Sequence, residues 1–108
     1  MSKYEKKANE LLARVQSLIG AFEIRKGTSG WPDYFDAPDE IVSQYPDVLL
    51  DVQMLLFSES PQMPLYSKVM KLGERLGERT GGNYCEFISL RDILSKYLEY
   101  RTFLEAED

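Results

Sequence analysis

The chain has 108 residues, of which 44% are hydrophobic and 29% charged, so composition excludes both a disordered segment and a membrane span. Thirteen basic against 18 acidic residues leave a formal charge of −5, which argues against a general affinity for nucleic acid. Histidine is absent, and the lone Cys85 excludes an internal disulfide and any multi-cysteine zinc site.

No stretch approaches the roughly 20 apolar residues of a membrane helix. The first residues, Met-Ser-Lys-Tyr-Glu-Lys-Lys, carry mixed charge and no apolar run, so a signal peptide is not expected and the expected address is cytoplasmic. No linker splits the sequence, and one domain over residues 1–108 is expected.

Residues 3–26 carry the clearest periodicity. Tyr4, Ala8, Leu11, Val15, Leu18 and Phe22 recur at steps of four and three, with Leu12 and Ile19 widening the stripe. This predicts an amphipathic helix, with Gly27 just past its end and Arg25 and Lys26 near its negative pole. Residues 27–38 hold two glycines and two prolines and read as a loop without regular structure. Asp36 is the expected N-cap of the next helix, with Pro38, Asp39 and Glu40 in its first turn.

That second helix, 38–58, contains Pro46 and is expected to be kinked or split there. Ile41, Val42, Tyr45, Val48, Leu49, Val52, Leu55 and Leu56 stay in phase across it. A second stripe of Leu50, Met54 and Phe57 lies on the opposite side. A helix apolar on two faces is either central to the fold or touches a partner. Central burial is the expectation, and the same three residues are the candidate homodimer contact.

Residues 58–64 read as a loop, followed by a third helix over 64–80 with Leu65, Tyr66, Val69, Met70, Leu72 and Leu76 on one side. Gly73, Gly77 and Gly81 recur every four residues beside that face, a spacing that would let another backbone come close. Gly81-Gly82 ends the helix. A capping box of Asn83 with Glu86, or Ser89 with Asp92, opens the fourth. Its stripe is Phe87, Leu90, Ile93, Leu94, Tyr97, Leu98 and Leu104; a short strand over residues 84–89 is the alternative reading of its start. The fold class that follows is all-α, an antiparallel bundle of about four helices, the second kinked or split at Pro46.

Charge is unevenly spread. Residues 1–27 carry net +3, residues 28–67 net −7 with no Lys or Arg, residues 68–82 net +2 and residues 83–108 net −3. The acidic stretch also holds the only Trp. A bundle bearing an acidic, aromatic loop can steer a basic protein surface toward itself. The expected contact surface is Trp31, Asp33, Tyr34, Phe35, Asp36, Asp39 and Glu40, with Asp47 and Asp51 extending the negative field. The competing role for Trp31 and Phe35 is to cap the core.

Catalytic constellations fail for stated reasons. Without His, the usual general base and the commonest transition-metal ligand are missing. The acids of residues 33–40 lack the alternating spacing of a calcium loop, and Glu-x-x-His pairs for a di-iron bundle are impossible. Cys85 has no dyad partner and reads as a small hydrophobe, and the glycines of residues 73–82 follow no strand. No catalytic residue, metal or cofactor is expected.

The function expected is a non-enzymatic protein–protein interaction module that binds, and inhibits or regulates, a partner with a basic surface. Nucleic-acid mimicry by its carboxylates is a special case. The alternative is a small helical DNA-binding regulator that uses Lys68, Lys71, Arg75 and Arg79 on the third helix.

Overall fold

The computed structural model describes residues 2–59 and 61–107. Helix α1 spans Lys3–Gly20, followed by strands β1 (Glu23–Arg25) and β2 (Tyr34–Asp36), a short helix α2 (Asp39–Val42), and helices α3 (Tyr45–Glu59), α4 (Pro64–Leu76) and α5 (Tyr84–Glu107). Contacts at the helix ends set the directions. Ser2 and Glu5, at the start of α1, meet Arg101 late in α5, while Phe22 beyond the end of α1 meets Tyr84 and Phe87. Tyr45 at the start of α3 packs on Phe87, and Glu59 at its end pairs with Arg101. Phe57 of α3 meets Tyr66 of α4. The four long helices therefore run up, down, up, down, with α1 and α4 antiparallel to α3 and α5. The all-α antiparallel bundle expected from the periodicity is the observed fold.

The core follows the predicted stripes closely. Ala8, Leu11, Val15 and Leu18 of α1 are buried, as are Val48, Leu49, Val52, Leu55 and Leu56 of α3. From α5, Phe87, Leu90, Ile93, Leu94 and Tyr97 close the interior. Burying side chains of this size stabilises by roughly 1.5–3 kcal/mol each against exposure, which offsets the entropy of ordering the chain.

Several boundaries differ from expectation. α1 stops at Gly20 rather than at residue 26. Its last turn tightens, with the Ala21 and Phe22 amides donating to Leu18 and Ile19 carbonyls at 3.1 Å. Phe22 then wedges against Tyr84 and Phe87, which turns the chain away from the helix axis. The supposed loop contains a hairpin: β1 pairs antiparallel with β2, Ile24 opposite Phe35. Arg25 and Lys26 therefore belong to the hairpin and not to a helix end. Asp36 is in β2, and Pro38 takes the N-cap position of α2. Pro46 does split the second helical segment. The break falls at Ser43-Gln44, and Pro46 sits second in α3, where its missing N–H has no helical partner to lose.

α4 ends at Leu76, because Gly77 adopts φ +55° and reverses the chain. The glycine stripe is thus divided. Gly73 lies in the helix under the Gln53 side chain, whereas Gly81 lies beyond it against the Val42 carbonyl, and the next residue, Gly82, crosses the ring of Tyr45, where a Cβ would collide. Asn83 and Glu86 form the capping box in both directions: the Asn83 amide donates to Glu86 Oε1 at 3.0 Å and the Glu86 amide to Asn83 Oδ1 at 2.9 Å. Residues 84–89 are helix, not strand. In the predicted 58–64 loop, position 60 lies outside the described residues.

Four burial expectations are also corrected. Leu50, Met54 and Phe57 are 54%, 59% and 59% exposed, so α3 is not buried on both faces. Met70 and Leu104 lie at the surface, and Cys85 is exposed, so it is not a core residue. Among the described residues no helix is long and apolar enough to cross a membrane.

Candidate functional site

The hairpin lies at the end of the bundle where α1 stops and α5 begins. Both its strands are exposed along their whole length. Its attachment is aromatic: the Phe35 ring stacks on Tyr84 at 4.1 Å and 13°, and Phe22 meets Tyr84 edge-on at 5.4 Å. Such pairs add about 0.5–1.5 kcal/mol each beyond their buried area, enough to seat a three-residue strand pair that would not persist alone.

The loop between the strands is closed by Asp33. Its carboxylate accepts from the Gly27 amide at 2.9 Å and from Lys26 Nζ at 3.3 Å. A Cβ at position 27 would strike the Trp31 carbonyl, so glycine is required where these backbones cross. Ser29 and Gly30, at φ 32° and 87°, reverse the chain, and the Trp31 amide donates to the Thr28 carbonyl at 2.9 Å. That geometry presents Trp31 outward with 76% of its surface exposed. Trp31 does not cap the core. Tyr34 is 56% exposed on β2, opposite Arg25.

The predicted acids separate into two groups. Asp33, Asp36 and Asp51 have cationic neighbours: Lys26, Arg25 at 3.9 Å and Arg14 at 3.8 Å. Asp36 also faces Glu23 across the ladder, a like-charge pair that Arg25 offsets. Asp39, Glu40 and Asp47 make no ion pair among the described residues. They sit in the first turns of α2 and α3, where the helix dipole favours negative charge. The outward negative field thus rests mainly on these three. The exposed apolar group at the hairpin also includes Ile24, which sequence reasoning missed. A three-residue strand offers no alternating run to reveal it.

The basic face proposed for the third helix is reorganised. Arg79 lies beyond the end of α4 and turns to Glu86, with Nη2 to Oε2 at 2.7 Å and Nη1 to Oε1 at 3.0 Å. Burial pushes the Glu86 carboxyl up, but the Arg79 hydrogen bond, the Asn83 amide and the Arg79 and Arg75 charges outweigh it and hold it below its ordinary value. The same pairing raises Arg79. Arg79 is therefore committed to the α5 cap, and the four-cation face loses one member. Among the described residues no cluster of three or more His, Cys, Asp or Glu side chains could hold a metal ion.

At the far end of the bundle Arg101 ties three elements together. It donates to Glu59 Oε1 at 2.7 Å and Ser2 Oγ at 3.2 Å, and lies 3.7 Å from Glu5. No protein-family model, curated protein or solved structure matches the chain.

Proposed function

We propose that this protein is a non-enzymatic interaction module that works in the cytoplasm, binding and regulating a protein partner with a basic surface through its hairpin and the adjoining acidic turns. The observation that carries the reading is the presentation of Trp31. A tryptophan held outside the core by a closed, glycine-dependent turn covers no hydrophobic interior of its own chain, and such residues are strong interface anchors. Tyr34 extends the apolar contact, and Asp39, Glu40 and Asp47 supply a rim that attracts a cationic surface and rejects an anionic one. The same module pairs with a second copy through the Leu50, Met54 and Phe57 stripe of α3.

The test is quantitative affinity capture from native host extract with wild-type and Trp31→Ala baits. The expected partner carries a basic surface and is depleted on the variant by about 30-fold in affinity, the equivalent of about 2 kcal/mol for a central aromatic anchor. Melting temperature should be almost unchanged, because Trp31 is outside the core. Equal capture by both baits, or a large loss of melting temperature, would retire the hairpin as the contact surface.

A further inference from the structure

Helices α4 and α5 leave a groove of roughly 340 Å³ between them. Lys68, Lys71 and Arg75 occupy one wall at spacings of three and four, and Lys96 stands on the facing wall. Leu65, Leu72 and Ile93 line the groove between these cations. The acidic residue interleaved in sequence does not cancel this field: Glu74 lines a different groove, between α3 and α4. Lys68, Lys71 and Arg75 make no ion pair among the described residues, whereas Lys96 is paired with Glu99 at 3.4 Å on the exposed side of α5. The channel continues past Lys68 and Lys96 to Met63 and Tyr100. From Ser89 to Tyr100 it follows α5 for about 16 Å, at ~1.5 Å per residue, which is three helical turns.

We infer that this groove is a second binding site, distinct from the hairpin, for an acidic amphipathic helix of a protein partner. Its carboxylates would meet Lys68, Lys71 and Arg75 on one side and Lys96 on the other, while its apolar side chains cover Leu65, Met63 and Tyr100, with the buried Leu72 and Ile93 as the base beneath. This is the helix-in-groove mode with a cationic rim. A nucleic-acid backbone fits less well. It has phosphates for the rim but nothing for the apolar residues between them, whereas Asp92, which Arg91 pairs at 3.0 Å, bears alike on phosphate and carboxylate. The inference does not depend on the hairpin's partner, because the two surfaces have opposite charge and share no residue.

The experiment uses the full chain and a fluorescein-labelled synthetic peptide of roughly three to four helical turns, with leucines at i, i+3, i+4 and i+7 and glutamates elsewhere. Anisotropy should report binding, and amide shifts should fall on residues 65–75 and 89–100. The double variant Lys71→Glu/Arg75→Glu should lose at least about tenfold in affinity, and so should a peptide with serines in place of leucines. Lys96→Glu alone, on the other helix, should also weaken binding and stands in should the double variant not fold. Three results overturn the assignment: no binding of the leucine peptide, equal binding of the serine peptide, or amide shifts confined to α3. Tighter, salt-sensitive binding of a short random duplex DNA that depends on Lys71 and Arg75 would instead make the groove a nucleic-acid contact.

Discussion

Glu86 and Tyr97 lie three turns apart on α5 and respond to opposite ends of the pH scale. Glu86 is held below its ordinary value, so its contribution to folding is fully present above the unfolded glutamate pKa, about 4.3, and is lost as pH falls through the lower folded value. Tyr97 moves the other way. Burial, with the Glu59 charge adding to it, pushes its phenol up to about 12, against 10.0 for the free side chain. Its neutral form favours folding below pH about 10, and that stability is lost as pH rises from there toward the folded value. Two substitutions separate these effects. Glu86→Gln keeps a capping-box acceptor but no charge, and should flatten the acid limb of a stability–pH curve measured by urea titration. Glu86→Ala removes both and should cost about 1–2 kcal/mol at pH 7. Tyr97→Phe should extend the alkaline limb upward. An unchanged acid limb in Glu86→Gln would show that the Arg79 pair contributes nothing measurable.

At the scale of elements, the Arg101 cluster joins the start of α1, the end of α3 and the late part of α5. Glu5 and Glu59 are 13% and 12% exposed at their side chains, so Arg101→Met would leave two carboxylates facing each other with little water. The expected cost is about 2–3 kcal/mol, below the fully buried range because the site keeps some solvent. Adding Glu5→Gln and Glu59→Gln to that variant should recover at least half, read as melting temperature and urea midpoint. If Arg101→Met alone melts like the wild type, the cluster is not a clasp. None of this was legible in the sequence: Arg101 stands 42 residues from Glu59 and 99 from Ser2. Legibility tracked sequence distance and length of repeat. The α1, α3 and α5 stripes were readable because a 3.6-residue period repeats across many turns, and the Asn83–Glu86 cap because it is local. The hairpin was hidden by its three-residue strands and by the glycines and prolines around it. The outward placement of Trp31 depends on Asp33 reaching back to Gly27, a contact no periodicity encodes.

For the whole molecule, the α3 stripe decides between monomer and dimer. Leu50, Met54 and Phe57 project an exposed apolar ridge about two turns long on α3. If two copies bury it, sedimentation velocity should show a concentration-dependent dimer, and Leu50→Glu with Phe57→Glu should yield monomer at every concentration. A wild-type monomer throughout would remove the ridge as a self-contact. The molecule measures 57 × 26 × 24 Å, and its hairpin occupies one end without supplying a single buried residue to the core. That arrangement has an evolutionary consequence. If the hairpin is the contact surface, changes at positions 31 and 34 are screened almost wholly by recognition and hardly by folding, whereas Gly27, Asp33 and Phe35 are screened by the shape of the turn. On that reading, a lineage under pressure from a changing partner can rewrite its specificity quickly at the tip while the four-helix stem drifts at the slow pace of a packed core.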